Sequence, residues 1–209
     1  MTDGARAPDT RRLAIAVGVV SAGSAVCLAT YFVVRGPFGT INDVGNAATG
    51  ILSACLAWRL RRLLLGRGPR SALGAALVGA AVTVVGSALV ITGTTGFLLA
   101  GLVSSVGFAG IGAWLVVVNR SVGAAAAWPP RLRALGVAAG ALMAIGVVAT
   151  PGIALRIDDM ATAPGWVWVG FLGWLGIFVA YPAWAIGIGI VASGLAPSRP
   201  PLPGATVTD

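Results

Sequence analysis

The chain has 209 residues, of which 57% are hydrophobic and 10% charged, with a formal net charge of +8. With a mean hydropathy of +0.94, this balance departs from the ~45–50% apolar and ~25% charged residues of soluble domains and places the chain in a membrane. The 14 basic side chains are all Arg and the 6 acids all Asp, with no Lys, Glu or His, which excludes imidazole- or thiolate-based metal centres, haem, Schiff-base chemistry, a Ser–His–Asp hydrolase and a Walker-type nucleotide site.

No catalytic, cofactor-binding or metal-ligating residues are therefore assigned, and a non-enzymatic protein is expected. The arginines flank apolar segments, so their charge points to membrane topology and not to nucleic acid.

Crossing ~30 Å of hydrocarbon takes roughly 17–25 apolar residues. Six runs qualify: 13–34, 41–58, 71–92, 97–118, 132–150 and 166–192. An all-α integral membrane protein follows, a bundle of six transmembrane helices. Its connections are marked by Gly36-Pro37, Gly66 to Pro69, Gly93 to Gly96, Pro129-Pro130 and Pro151-Gly152. A tail at 1–12 and a second at 193–209, rich in proline at Pro197, Pro200, Pro201 and Pro203, complete the organisation and leave no room for a soluble domain.

Arg11-Arg12, an apolar run and the small residues Ser21 to Ala25 are similar to a cleavable leader, but the run continues to Val34, too long for one. Cys27 and Cys55 fall about 10 Å and 21 Å below the outer ends of their spans, beyond disulfide reach. Small apolar packing residues are the reading that fits them.

The entry to the second span, Arg35 to Asn46, begins with a Gly-Pro turn. Thr40 and Asp43 have capping-box spacing, and Arg35 is placed to pair with Asp43. Capping leaves Asn42, Asn46, Thr49 and Ser53 unexplained: they form one polar stripe, at i, i+4, i+7 and i+11, on an apolar helix. Farther along the chain Thr83, Ser87, Ser104 and Ser105 lie, like Asn46 and Thr49, in the outer ~14 Å of the membrane. Hydrogen bonding between helices accounts for such groups as packing glue. The sharper hypothesis is a shared polar pocket, open to the outer face and centred on Asn46, that Asn42, Asp43, Asn46, Thr49, Ser53, Thr83, Ser87, Ser104 and Ser105 would build.

At the far end of the second span Trp58, Arg59, Arg61, Arg62, Arg67 and Arg70 form a basic cluster that attracts anionic lipid at ~1 kcal/mol per charge. Ridges of small residues at Ala75, Gly79, Thr83 and Ser87, at Gly101, Ser105, Ala109 and Ala113, and at Gly136, Gly140 and Ala144 are expected helix-packing seams. Arg156 to Asp159 offers two carboxylates, enough for a loose cation contact, although a solvated loop is the default. In the last span Trp166 and Trp168 fit an interfacial belt. Phe171, Trp174, Phe178, Tyr181 and Trp184 then form an aromatic face, read first as lipid-facing or core packing and second as a pocket wall for a flat or cationic ligand. Pro182 predicts a kink.

With the N-terminus inside, every arginine except Arg35 and Arg156 falls on the inner side, so both termini are expected to be cytoplasmic. Arg in place of Lys, with Ala, Gly and Pro richness, points to a bacterial cytoplasmic membrane. Three function classes follow. The first is a multi-pass protein acting by helix packing with a lipid or protein partner, or with a second copy. The alternative is a small-molecule transporter or channel component with an outward polar site. An intramembrane enzyme ranks last, because paired intramembrane carboxylates and histidine are absent.

Overall fold

The computed structural model describes residues 6–64, 69–121 and 128–191. The proline-rich tail, Arg67 and the Gly66 to Gly68 part of the second connection lie outside them. Among the described residues the chain is helical, without strands. We number the helices α1 (Arg6–Val34), α2 (Phe38–Leu63), α3 (Arg70–Ile91), α4 (Phe97–Ser121), α5 (Pro130–Ala154) and α6 (Val167–Val191). Five are long and apolar enough to cross a membrane: α1 over Asp9–Val34, and α3, α4, α5 and α6. The more polar α2 has 26 residues and spans about 39 Å, and it packs between α1 and α3. Its turn with α1 is tight, with Arg35 and Gly36 at φ 64° and 72°, so α2 returns alongside α1 through the same thickness.

Each helix packs on its neighbours in sequence, and α6 closes the ring against α1. α4 is the most enclosed, with 61% of its apolar window buried. α2 carries an inverted pattern. Its buried stripe is Asn42, Asn46, Thr49 and Ser53, while Ile41, Val44, Ile51 and Trp58 are exposed. Polar side chains inside and large apolar ones outside suit a lipid surround, where apolar exposure costs nothing and a polar group needs a protein partner.

Two helices are interrupted. In α5 the turn Ile145–Ala149 tightens to 3-10 before the helix resumes at Thr150–Ala154. The helix thus runs through Pro151, where the sequence predicted a turn: Pro151 stands in the first turn of the resumed segment, a position that needs no proline N–H. In α6 the segment Gly176–Ala180 widens to a π turn just before Pro182, so the expected irregularity lies on the N-terminal side of the proline. These segments pack together, with a Cβ on Gly176 falling 2.7 Å from the Met143 nitrogen of α5.

Several local expectations are corrected. Thr40 and Asp43 do not cap α2: the helix starts earlier, Pro37 occupies the N-cap, and no side-chain cap bond forms. Arg35 lies over the ring of Tyr31, 5.5 Å from its centroid, since its left-handed backbone turns it toward α1. Cys55 is exposed, not packed, because it lies on the outer stripe of α2. Of the small-residue ridges, that of α3 meets α4, where a Cβ on Gly110 would strike the Ala75 carbonyl at 2.8 Å. The ridge of α5 meets α4 through Gly140 and Gly112. The third packs only in its middle, where Ser105 and Ala109 are buried and Ser105 meets Gly146 of α5, while Gly101 faces open space and Ala113 is exposed; α4 approaches α3 through Gly107 and Gly110. Asp158 does not float in a solvated loop. Its carboxylate accepts the backbone N–H groups of Gly96 at 2.6 Å and Leu99 at 3.0 Å, capping α4 from a distant loop.

Candidate functional site

α1, α3 and α5 finish, and α2, α4 and α6 begin, at the same end of the bundle. Inside that end lies a chamber of about 30 Å3, room for about two water-sized species at ~10–15 Å3 each. α2 supplies Asn42, Asp43 and Asn46, and α4 supplies Ser104 and Ser105 between Phe97 and Phe108; Trp174 and Phe178 of α6 wall the far side, and α1 and α3 contribute Leu28 and Gly86. The turn spacing of each helix explains the grouping: Asn42 and Asn46 share a face, and Trp174 and Phe178 likewise.

Asn42 is 2%, Asp43 8% and Asn46 9% exposed. Asn42 donates through Nδ2 to Asp43 Oδ1, a long bond of 3.4 Å. Among the described residues the side-chain carbonyl oxygens of Asn42 and Asn46 have no donor. Among the described residues, no cationic side chain pairs with Asp43, the one carboxylate enclosed in the bundle. Leaving such groups uncompensated is costly. Trp174 Nε1 approaches Ser105 Oγ at 3.4 Å, and Ser105 in turn donates to the Gly101 carbonyl at 2.8 Å.

The remaining candidates divide by partner. Thr83 donates back to Gly79 at 3.0 Å, in the α3–α4 contact. Thr49 and Ser87 are buried outside the chamber, and their hydroxyls have no partner among the described residues. Ser53 donates to the Thr49 carbonyl at 2.6 Å, which commits its only proton, so the Tyr181 hydroxyl donates to Ser53 at 2.8 Å. Tyr181 and Trp184 are fully buried and stack with rings 5.9 Å apart. Phe171 packs edge-on to Trp174. The aromatic face is thus neither wholly core nor wholly pocket: Trp174 and Phe178 line the chamber, whereas Tyr181 and Trp184 join the core that fills the other half of the bundle.

Three polar residues escaped the sequence reading. Ser24 donates to the Asn42 carbonyl at 3.0 Å and Ser21 to that of Ile177 at 2.8 Å, tying α1 to α2 and α6. Their i, i+3 spacing was a visible signal, obscured by the small residues around them. Asn119 accepts from Trp184 Nε1 at 3.2 Å and is buried near the arginine-rich end. No family model matches the chain, nor does any curated protein or solved structure.

Proposed function

We propose that the protein is a transport-type component of a bacterial cytoplasmic membrane, without catalytic chemistry of its own, whose chamber holds a small alkali cation. The observation that carries this reading is Asp43, a carboxylate enclosed beside two amide oxygens that lack donors. Hard cations need neither imidazole nor thiolate and take oxygen ligands such as amides, hydroxyls, a carboxylate or unwound backbone. The two interrupted helices support transport in particular. The π segment of α6 contributes Ile177 and Phe178 to the chamber, and a Cβ on Gly146, in the 3-10 turn of α5, would collide with the Ser105 carbonyl. Irregular backbone at membrane depth belongs where it lines a cavity or is sealed in protein.

The second reading is a packed partner subunit, favoured by the solid core of Phe108, Ile111, Met143, Tyr181 and Trp184 beneath the chamber. Thermal unfolding of the purified full-length protein, in sodium, lithium, potassium or choline chloride at equal ionic strength, separates the two. A cation at tenfold its dissociation constant stabilises by about 1.4 kcal/mol, a rise of a few degrees. That rise is expected with at least one small alkali ion, absent in Asp43→Asn and reduced in Asn46→Ala. Equal melting in all salts would leave the packed subunit.

A further inference from the structure

At the opposite end, the last two turns of α2 and the first two turns of α3 line a groove of about 550 Å3. Its mouth carries Arg61, Arg62 and Arg70, and its walls are Trp58, Leu73, Gly74 and Leu77. The order along each helix sets the chemistry. On α3, Arg70 lies at the helix start and Leu77 about 10 Å deeper; on α2, which runs the other way, Trp58 lies deeper than Arg61 and Arg62. The groove is therefore basic at the bundle's end and apolar toward its middle.

Helix electrostatics account for only part of this charge. Arg61 and Arg62 sit in the last turn of α2, where the helix dipole favours cations. Arg70 opens α3, where the dipole opposes a cation, and the first turn of α3 has no acid and no side-chain cap. Among the described residues none of the three guanidiniums has a carboxylate partner. Arg62 lies over the Trp58 ring, 5.2 Å from its centroid, which holds it at the groove. Three cations and the uncapped start of a helix thus meet at one end of the groove, an arrangement suited to an anion.

We infer that this groove binds an anionic phospholipid, its phosphate held by Arg61, Arg62 and Arg70 and one acyl chain lying along Gly74 and Leu77. The occupant must be an amphiphile, because charge and apolar wall lie at opposite ends of one cleft. Gly74 keeps the cleft open: a Cβ there would meet nothing within 4 Å.

The test measures thermal stabilisation of the full-length protein in neutral detergent, titrated with phosphatidylglycerol, with phosphatidylcholine of the same chains, or with inorganic phosphate. Phosphatidylglycerol is expected to raise the melting temperature, with neither of the others reproducing it. Arg62→Gln and Arg70→Gln each weaken the half-saturating concentration about fivefold, the equivalent of ~1 kcal/mol per charge. Gly74→Leu fills the cleft and abolishes the response, and because leucine favours the helix over glycine its lipid-free melting temperature is no lower than that of the parent. Four results would overturn the inference: equal stabilisation by the two lipids, a full response to inorganic phosphate, retention of the lipid preference in the arginine variants, or a change of oligomeric state in Gly74→Leu with no lipid dependence. The last would assign the groove to a second copy.

Discussion

Ile177 shows how one residue's backbone determines another's side chain. In the π turn the Tyr181 N–H reaches back five residues to the Gly176 carbonyl. The next bond in that register would run from residue 182 to Ile177, but residue 182 is proline and has no N–H. The Ile177 carbonyl is left without a backbone donor, and Ser21 Oγ of α1 replaces it at 2.8 Å. Removing that hydroxyl strands a buried acceptor, so Ser21→Ala is expected to destabilise by about 1 kcal/mol, measured by unfolding in mixed micelles. Thr30→Ala, which loses only an exposed bond to its own helix, serves as the neutral control. The double variant is sharper. In Pro182→Ala the backbone regains its donor, and the Ser21→Ala cost falls to near zero, a coupling that a double-mutant cycle reads directly. The sequence made Asn42, Asn46, Thr49 and Ser53 legible because four polar residues keep a helical period in an apolar run. Ser21, paired only with Ser24 among small residues, and the isolated Asn119 make no such stripe, and their roles depend on what stands opposite, which no single helix records.

At the scale of the element, α6 combines an aromatic face with a local change of pitch. Straightening the π turn in Pro182→Ala removes the extra residue from that turn and rotates the upstream segment by about 100° relative to the rest of the helix, carrying Trp174 and Phe178 off the chamber. The expected result is a protein that no longer responds to alkali cations and that melts at a lower temperature, since the same rotation takes Gly176 out of its close contact with Met143 of α5. A retained response would show that the π turn does nothing for the chamber. The loop before α6 supplies an independent case. Asp158 caps α4 through two backbone N–H groups, so Asp158→Ala should cost about 1 kcal/mol, the usual value of an N-cap. Six apolar runs with breaks at Gly and Pro were plain in the sequence. One boundary and one cap were not, for physical reasons: a proline in a first turn does not end a helix, so α5 runs on to Ala154, and although α4 starts at Phe97 as expected, its cap comes from a loop some sixty residues away and leaves no local signature.

For the whole molecule the decisive pattern is charge at the two ends. One end carries Arg11 and Arg12, Arg59 with Arg61 and Arg62, then Arg70, Arg120, Arg131 and Arg133, while the other carries Arg35 and Arg156, placed there by the alternating direction of the helices. Asp9 of α1 meets Arg59 of α2 at 3.5 Å, which joins the helix starts and ends of the basic side. Such asymmetry in short loops sets membrane orientation, so the basic end is expected in the cytoplasm, with the chamber near the outer face and the lipid groove near the inner one. With Cys27 and Cys55 changed to Ser, single cysteines at Ala161, in the exposed 155–165 loop, and at Ser71, exposed at the basic end, report the two sides to a membrane-impermeant thiol reagent. Ala161→Cys should label in intact cells and Ser71→Cys only after permeabilisation. The reverse pattern would turn the molecule over, place the chamber on the cytoplasmic side, and present the arginine groove to the leaflet with less anionic lipid, where its affinity for phosphatidylglycerol would have little use.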